Sequence, residues 1–128
     1  MNINKLEDSA DYGDARLGQL MVDRDAIQDQ SSQVKSMFNA YVKVVKSLIG
    51  KMRSGTAEQL KRCAESSMNT KLMIKGKEPS MKKTEAIGEI FDKYAALIDE
   101  LVAQIMMATR TRSKNRTRRS TKRRAFRP

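Results

Sequence analysis

Ten of the nineteen residues from Arg110 to Pro128 are basic and none is acidic: Arg110, Arg112, Lys114, Arg116, Arg118, Arg119, Lys122, Arg123, Arg124 and Arg127. Fixed positive charge at this density suits one chemistry above others, the neutralisation of phosphates along a polyanion with release of condensed counterions. That gain depends on charge density and ionic strength and hardly on sequence. Eight of the ten are Arg, whose fork fits two phosphate oxygens and also stacks on bases, so DNA and RNA are equal candidates. Engagement of about six to nine of these cations with duplex phosphate would give a slope of log affinity against log salt of roughly −5 to −8.

Like-charge repulsion and a lack of buriable surface predict that this tail is disordered in isolation. Between Arg110 and Arg118 the cations alternate with Thr111, Ser113, Asn115 and Thr117, a spacing that puts them on one face of an extended chain and scatters them around a helix. An extended, groove-following conformation is therefore expected. Phe126 offers one ring for stacking, and Ser113, Thr117, Ser120 and Thr121 lie among arginines as kinase targets do; each phosphate would subtract about 1.5 to 2 charges. In composition the tail, and only the tail, resembles the Arg- and Ser-rich arms of protamines and viral coat proteins. An import signal, an anchor on an acidic protein or lipid surface, and a solubilising segment are the other uses of such a run.

Catalytic chemistry finds little to work with. The chain has no His, one Cys and no glycine-rich phosphate loop, which excludes an intramolecular disulfide and the Cys/His zinc sites. Cys63 follows Lys61 and Arg62, but it falls on the apolar side of an expected helix with no base beside it and reads as core. Glu85, Glu89, Asp92, Asp99 and Glu100 are spread over a face that also bears Lys82, Lys83 and Lys93, and read as solvated. The expectation is a protein that is not an enzyme, with no cofactor, no metal and no small-molecule substrate. Of the nine methionines, Met37, Met52 and Met68 suit the core, and the Met106 and Met107 pair is placed for a partner.

The elements that carry the tail are of a different material. Of the 26 basic residues in the whole chain, 16 lie before Arg110 against all 15 acidic ones, so nearly all of the net charge of +11 sits in the tail. Six Gly, two Pro and no Trp are too few turn-formers and aromatics for an all-β fold. From Leu17 the steps alternate between three and four: Leu17, Leu20, Arg24, Ile27, Ser31, Val34, Phe38, Tyr41, Val45, Leu48, Met52. This is a heptad seam, weak before Val34 and strong after it, so the core is expected to begin near Val34. Ser54, Gly55 and Thr56 supply a helix stop and a new cap, with Gln59 completing a capping box, and so short a link forces an antiparallel hairpin. In the next helix Leu60, Ala64, Met68 and Leu72 recur at spacing four. Gly76 and Pro79 end it, and Ser80 or Thr84 caps a last helix with the seam Ile87, Phe91, Tyr94, Ile98, Leu101, Ile105.

That last seam matches the first at an offset of 53, from Met37/Ile90 through Phe38/Phe91 and Tyr41/Tyr94 to Met52/Ile105. Two readings account for it: a shared heptad phase, or a duplicated helix. The predicted fold is all-α, a three-helix antiparallel bundle or an extended helical hairpin with coiled-coil-like seams. Its parts are a flexible acidic segment (1–13), a helical domain (14–109, helices about 14–53, 57–75 and 80–109) and the Arg-rich tail (110–128). With the last helix parallel to the first, the tail is expected to leave one end of a rod and the acidic N-terminal region to project from the other, making the rod electrically polar along its length.

No stretch approaches the roughly 18 apolar residues of a membrane span, and the polar start lacks the apolar run of a secretory signal. An intracellular reducing compartment, the nucleus or a virion included, is expected. The function that follows is a non-catalytic architectural nucleic-acid-binding protein of a virion or nucleoprotein. Its helical body positions or oligomerises, and its partners are nucleic acid and a homo-oligomer or larger assembly. The alternative is a structural assembly protein, such as a minor or internal capsid component whose helices dock between larger subunits. A helical adaptor or secretion-system subunit is a third reading.

Overall fold

The computed structural model describes the backbone of residues 3–125 and the side chains of residues 6–109. Four helices pack together: α1 (Ile3–Asp25), α2 (Ser32–Ser54), α3 (Ala57–Lys77) and α4 (Glu85–Ala125), with a 3-10 turn at Glu78–Ser80 before α4. There is no strand among the described residues. Each helix runs antiparallel to the one before it, so α2 and α4 lie parallel. These two touch along the centre of the bundle, and α1 and α3 flank them on opposite sides without meeting each other.

The number of helices differs from the three expected, because the seam from Leu17 to Met52 is carried by two helices and not one. The break falls on its polar entries. Gln30 donates to the carbonyls of Arg24 and Ile27 at the end of α1, Asp29 takes a left-handed backbone with φ 59°, and Ser31 caps α2 by accepting from the Val34 amide at 3.2 Å. A reversal at Ala26–Ser31 lets α1 fold back, which a continuous helix would prevent. Leu6, Ala10, Leu17 and Leu20 are buried in the common core, so the first turns, expected to form a flexible segment, belong to the bundle from Leu6 on. Gly13 makes the approach close: a Cβ there would lie 3.1 Å from Ile49 Cγ1 and 3.2 Å from Leu101.

The expected lengthwise polarity is overturned by the same reversal. Ser9 hydrogen-bonds Gln104 and Tyr12 hydrogen-bonds Glu100, so the acidic N-terminal helix lies back along the half of α4 from which the tail continues. The backbone of α4 is helical to Ala125; the expected one-faced array of tail cations concerns side chains from Arg110 on, which lie outside the described residues.

The α2–α3 hairpin follows the local signals. Thr56 forms the full capping box with Gln59, and a Cβ on Gly55 would come within 2.8 Å of the Lys51 carbonyl, so this tight link favours glycine. Thr84 caps α4 through the Ile87 amide, while Ser80 bonds the Lys77 carbonyl. In α3 the buried stripe is Leu60, Ala64, Ser67, Lys71 and Ile74, and Leu72 and Met73 are exposed. A spacing of four throughout drifts around the helix axis, and alternation with three brings the stripe back to one face.

The offset of 53 is physical. Every buried position of α2, from Val34 to Met52, has a buried partner 53 residues on in α4, from Ile87 to Ile105. The pairs meet across the centre: Phe38 and Phe91 have ring centroids 4.7 Å apart, and Tyr41 and Tyr94 stack at 5.8 Å with planes 4° apart. The flanking helices repeat at 54, Leu6, Ala10, Gly13, Leu17 and Leu20 corresponding to Leu60, Ala64, Ser67, Lys71 and Ile74. The repeating unit is thus a helical hairpin, α1–α2 and then α3–α4, about a pseudo-two-fold axis parallel to the helices.

Candidate functional site

The ten basic tail residues lie outside the described side chains. The helix-packing set of Val34, Phe38, Tyr41, Val45, Leu48, Met52, Ile87, Phe91, Tyr94, Ile98, Leu101 and Ile105 is buried throughout, and the structure brings its two halves together along the α2–α4 contact. What remains accessible on the body is the surface of four seams, and the pseudo-symmetry sorts them into two kinds.

The seams within each hairpin are closed by ion pairs. Across α1–α2, Arg53 reaches Asp14 at 2.5 Å and Asp11 at 2.9 Å. Across α3–α4, Lys71 Nζ reaches Asp99 at 2.5 Å and Lys75 approaches Asp92 at 3.9 Å. Lys71 stands where α1 has Leu17, and its side chain is 10% exposed against 52% for Asp99, so the aliphatic stem packs while the ammonium meets its carboxylate at the rim.

The seams between the hairpins are grooves of opposite charge. The α2–α3 groove is lined mostly by small residues, Ala40, Ser47, Cys63, Ser66, Ser67 and Thr70 with Val44 and Gln59, and by the cations Lys43, Lys51 and Arg62. No side-chain hydrogen bond or ion pair joins α2 to α3 among the described residues. Lys43 and Lys51 make no ion pair there, and Arg62 pairs along its own helix with Glu58 at 3.0 Å. Cys63, read as core, packs partly against the core with one side on this groove. The α4–α1 groove on the opposite side of the bundle is lined by Asp8, Ser9, Tyr12, Glu100, Leu101, Ala103 and Gln104. Tyr12 OH donates to Glu100 Oε2 at 2.7 Å. That bond, with some burial and the carboxylate charge, raises the phenol's pKa against the lowering effect of Arg16 nearby.

The two grooves are counterparts under the pseudo-two-fold. Asp8 occupies the position of Arg62, Ser9 of Cys63, Tyr12 of Ser66, Glu100 of Ser47 and Gln104 of Lys51. The bias extends over the helices: α2 and α3 carry ten basic and two acidic residues, whereas α1 and α4 as far as Thr109 carry four basic and eleven acidic. The body is balanced in charge overall, but across its width it has a basic side and an acidic side. Sequence reasoning followed polarity along the chain and missed Lys43, Lys51 and Arg62; the signal was the charge count taken helix by helix.

Of the methionine pair, Met107 is exposed and Met106 packs partly on the core. Glu85, Glu89, Asp92, Asp99 and Glu100 are exposed, Asp99 with Lys71 against it. Among the described residues no three His, Cys, Asp or Glu side chains gather to hold a metal ion, and no helix is long and apolar enough to cross a membrane. Compared with known protein families, curated proteins and solved structures, the chain matches none of them.

Proposed function

We propose that this chain is a non-catalytic architectural protein that binds nucleic acid through its Arg-rich C-terminal segment, with the helical bundle as the platform that carries and spaces that segment. The observation that supports it is the segregation of charge: ten cations and no anion in residues 110–128, on a body of 16 basic and 15 acidic residues. Phosphate is the partner whose affinity grows with such a run regardless of its order, and the counterion release that drives binding needs no pocket. The reading places the protein in a nucleoprotein or virion, with DNA and RNA equally served.

The test compares the intact chain with one ending at Thr109 for retention of a nucleic-acid duplex across a salt series. The intact chain is expected to show a slope of log affinity against log salt of roughly −5 to −8, and the shortened one a slope nearer −1 to −2. Equal affinity of the two would refute the reading. The alternative of a structural assembly protein has one observation in its favour, the two oppositely charged grooves on opposite sides of the body. Weak retention by both forms, with docking on a protein shell, would favour it.

A further inference from the structure

We propose that the body carries a self-association surface: the acidic α4–α1 face of one copy docks on the basic α2–α3 face of the next. The inference does not depend on what the tail binds. It starts from the contrast between the two kinds of seam. Within the hairpins, cross-helix ion pairs consume the charges that face each other. Between the hairpins no ion pair crosses the seam among the described residues. On the basic side stand Lys43, Lys51 and Arg62, which pairs only along its own helix with Glu58, and on the acidic side Asp8 and Glu100, which accepts from the neutral Tyr12 hydroxyl, all of them exposed. A nucleic acid would use the basic side alone and leave the acidic side without a role. A second copy uses both.

Both faces are grooves, of about 550 Å³ on the basic side and about 600 Å³ on the acidic side, so the match between copies rests on charge. Tyr12, 45% exposed, stands on the acidic side where the basic side has the smaller Ser66. Because the faces are related by an axis along the bundle, they point in opposite directions on one molecule. Docking one on the other uses different surfaces of the two partners, a heterologous contact that repeats by near-translation and gives an open row, not a closed dimer. Helices of 21 to 23 residues make each face about 30 Å long and about 20 Å wide, roughly 600 Å² per partner. That area lies at the lower end of specific interfaces, so the contact should be weak in free solution and depend on salt. A row of this kind sets the α4 helices side by side and in one direction, so every tail leaves from the same edge.

The test uses the full chain, freed of nucleic acid, in sedimentation velocity and light scattering, with helicity checked by circular dichroism. Wild type should self-associate at about 50 mM salt and at least tenfold more weakly at about 500 mM. The pair Lys43→Glu with Arg62→Glu makes both faces acidic, and the pair Asp8→Lys with Glu100→Lys makes both basic; each variant alone should stay monomeric. Mixing the two should restore association, because each then offers what the other lacks. The proposal is overturned if wild type is monomeric at low salt and high concentration, which needs no variant to fold. It is overturned if the mixture does not associate while both variants keep wild-type helicity. It also fails if association is lost on ending the chain at Thr109, which would put the tail on the acidic face. Monomeric wild type whose binding to a duplex is weakened by the Lys43 and Arg62 substitutions would assign the basic groove to nucleic acid instead.

Discussion

The two hairpins are alike inside and unlike outside. Between α2 and α4 every buried position recurs in kind, Val34 with Ile87, Phe38 with Phe91, Leu48 with Leu101. On the surface the counterparts change sign, Asp8 against Arg62 and Lys46 against Asp99. Close packing explains the first fact. Phe38 touches Phe91 and Tyr41 touches Tyr94 across the centre, so a change of volume in one helix is felt in the other. Exposed positions carry no such constraint, and their charges can serve a partner. The difference puts the constraint of packing on the contact between α2 and α4 and leaves the outer seams free to differ in charge.

The largest effects should come from that contact. Phe38→Ala and Phe91→Ala each remove a fully buried ring and are expected to cost about 3 to 5 kcal/mol, read by chemical denaturation. The pseudo-symmetry adds a sharper requirement, that the two costs be similar. A gap between them of more than about 2 kcal/mol would show that one hairpin carries the fold and the other merely leans on it.

Next is the core position where the hairpins differ in charge. Leu17 is simply apolar, whereas Lys71 needs Asp99. Asp99→Ala leaves the ammonium of a side chain only 10% exposed without its carboxylate at the rim and should destabilise by about 1 to 2 kcal/mol, moderated because Asp99 is half exposed. Lys71→Leu restores the residue type found at Leu17 and should be neutral or stabilising, by up to about 1 kcal/mol. A large loss from Lys71→Leu would mean that the α3–α4 seam is held by its ion pair and not by packing. Smaller again are the paired caps: Ser31→Ala and Thr84→Ala, which each remove a bond to the third amide of a helix, should cost about 1 kcal/mol apiece.

Much of this architecture could be read from the residues. The strong seams after Val34 and after Ile87, their parallel run at an offset of 53 and the capped turn at Gly55–Thr56 all rest on local periodicity and turn chemistry, which act over a few residues. The break at Ala26–Ser31 was harder, because Arg24 and Ser31 kept the heptad spacing while changing its meaning: Ser31 holds an amide at a helix start, and the Arg24 guanidinium lies 5.9 Å above the Phe38 ring. A seam residue that caps and one that packs look the same in a spacing argument. The burial of Leu6 and Ala10 was hidden by the acidic residues around them, since Glu7, Asp8 and Asp11 are outward positions of the same amphipathic helix. The grooves depended on which helices lie side by side, and no spacing within one helix contains that.

The smallest expected change at neutral pH sits on the pseudo-symmetry axis. The Tyr41 and Tyr94 hydroxyls are buried and have no hydrogen-bond partner among the described residues, so Tyr41→Phe and Tyr94→Phe should be neutral or stabilising by up to about 1 kcal/mol. Their titration separates them. Burial raises both pKa values because it disfavours the phenolate. At Tyr41 the Glu78 and Asp92 charges push further in the same direction. At Tyr94, Arg24 works against burial while Asp25 and Asp23 add to it, and the value reaches about 12. Arg24 and Glu78 are themselves counterparts at the offset of 54, so the leading charge beside each phenol is reversed between the two. Both folded values lie above the unfolded value of about 10. Between that pH and the folded pKa the native chain holds protons that the unfolded chain has released, so stability is level below about pH 10 and falls as the pH rises toward 12. Tyr41→Phe leaves Tyr94 as the sole buried phenol, and its tyrosinate absorbance should appear near pH 12. Adding Arg24→Gln should move that transition upward, toward the behaviour of Tyr41, and an unmoved transition would show that Arg24 has no part in setting the value.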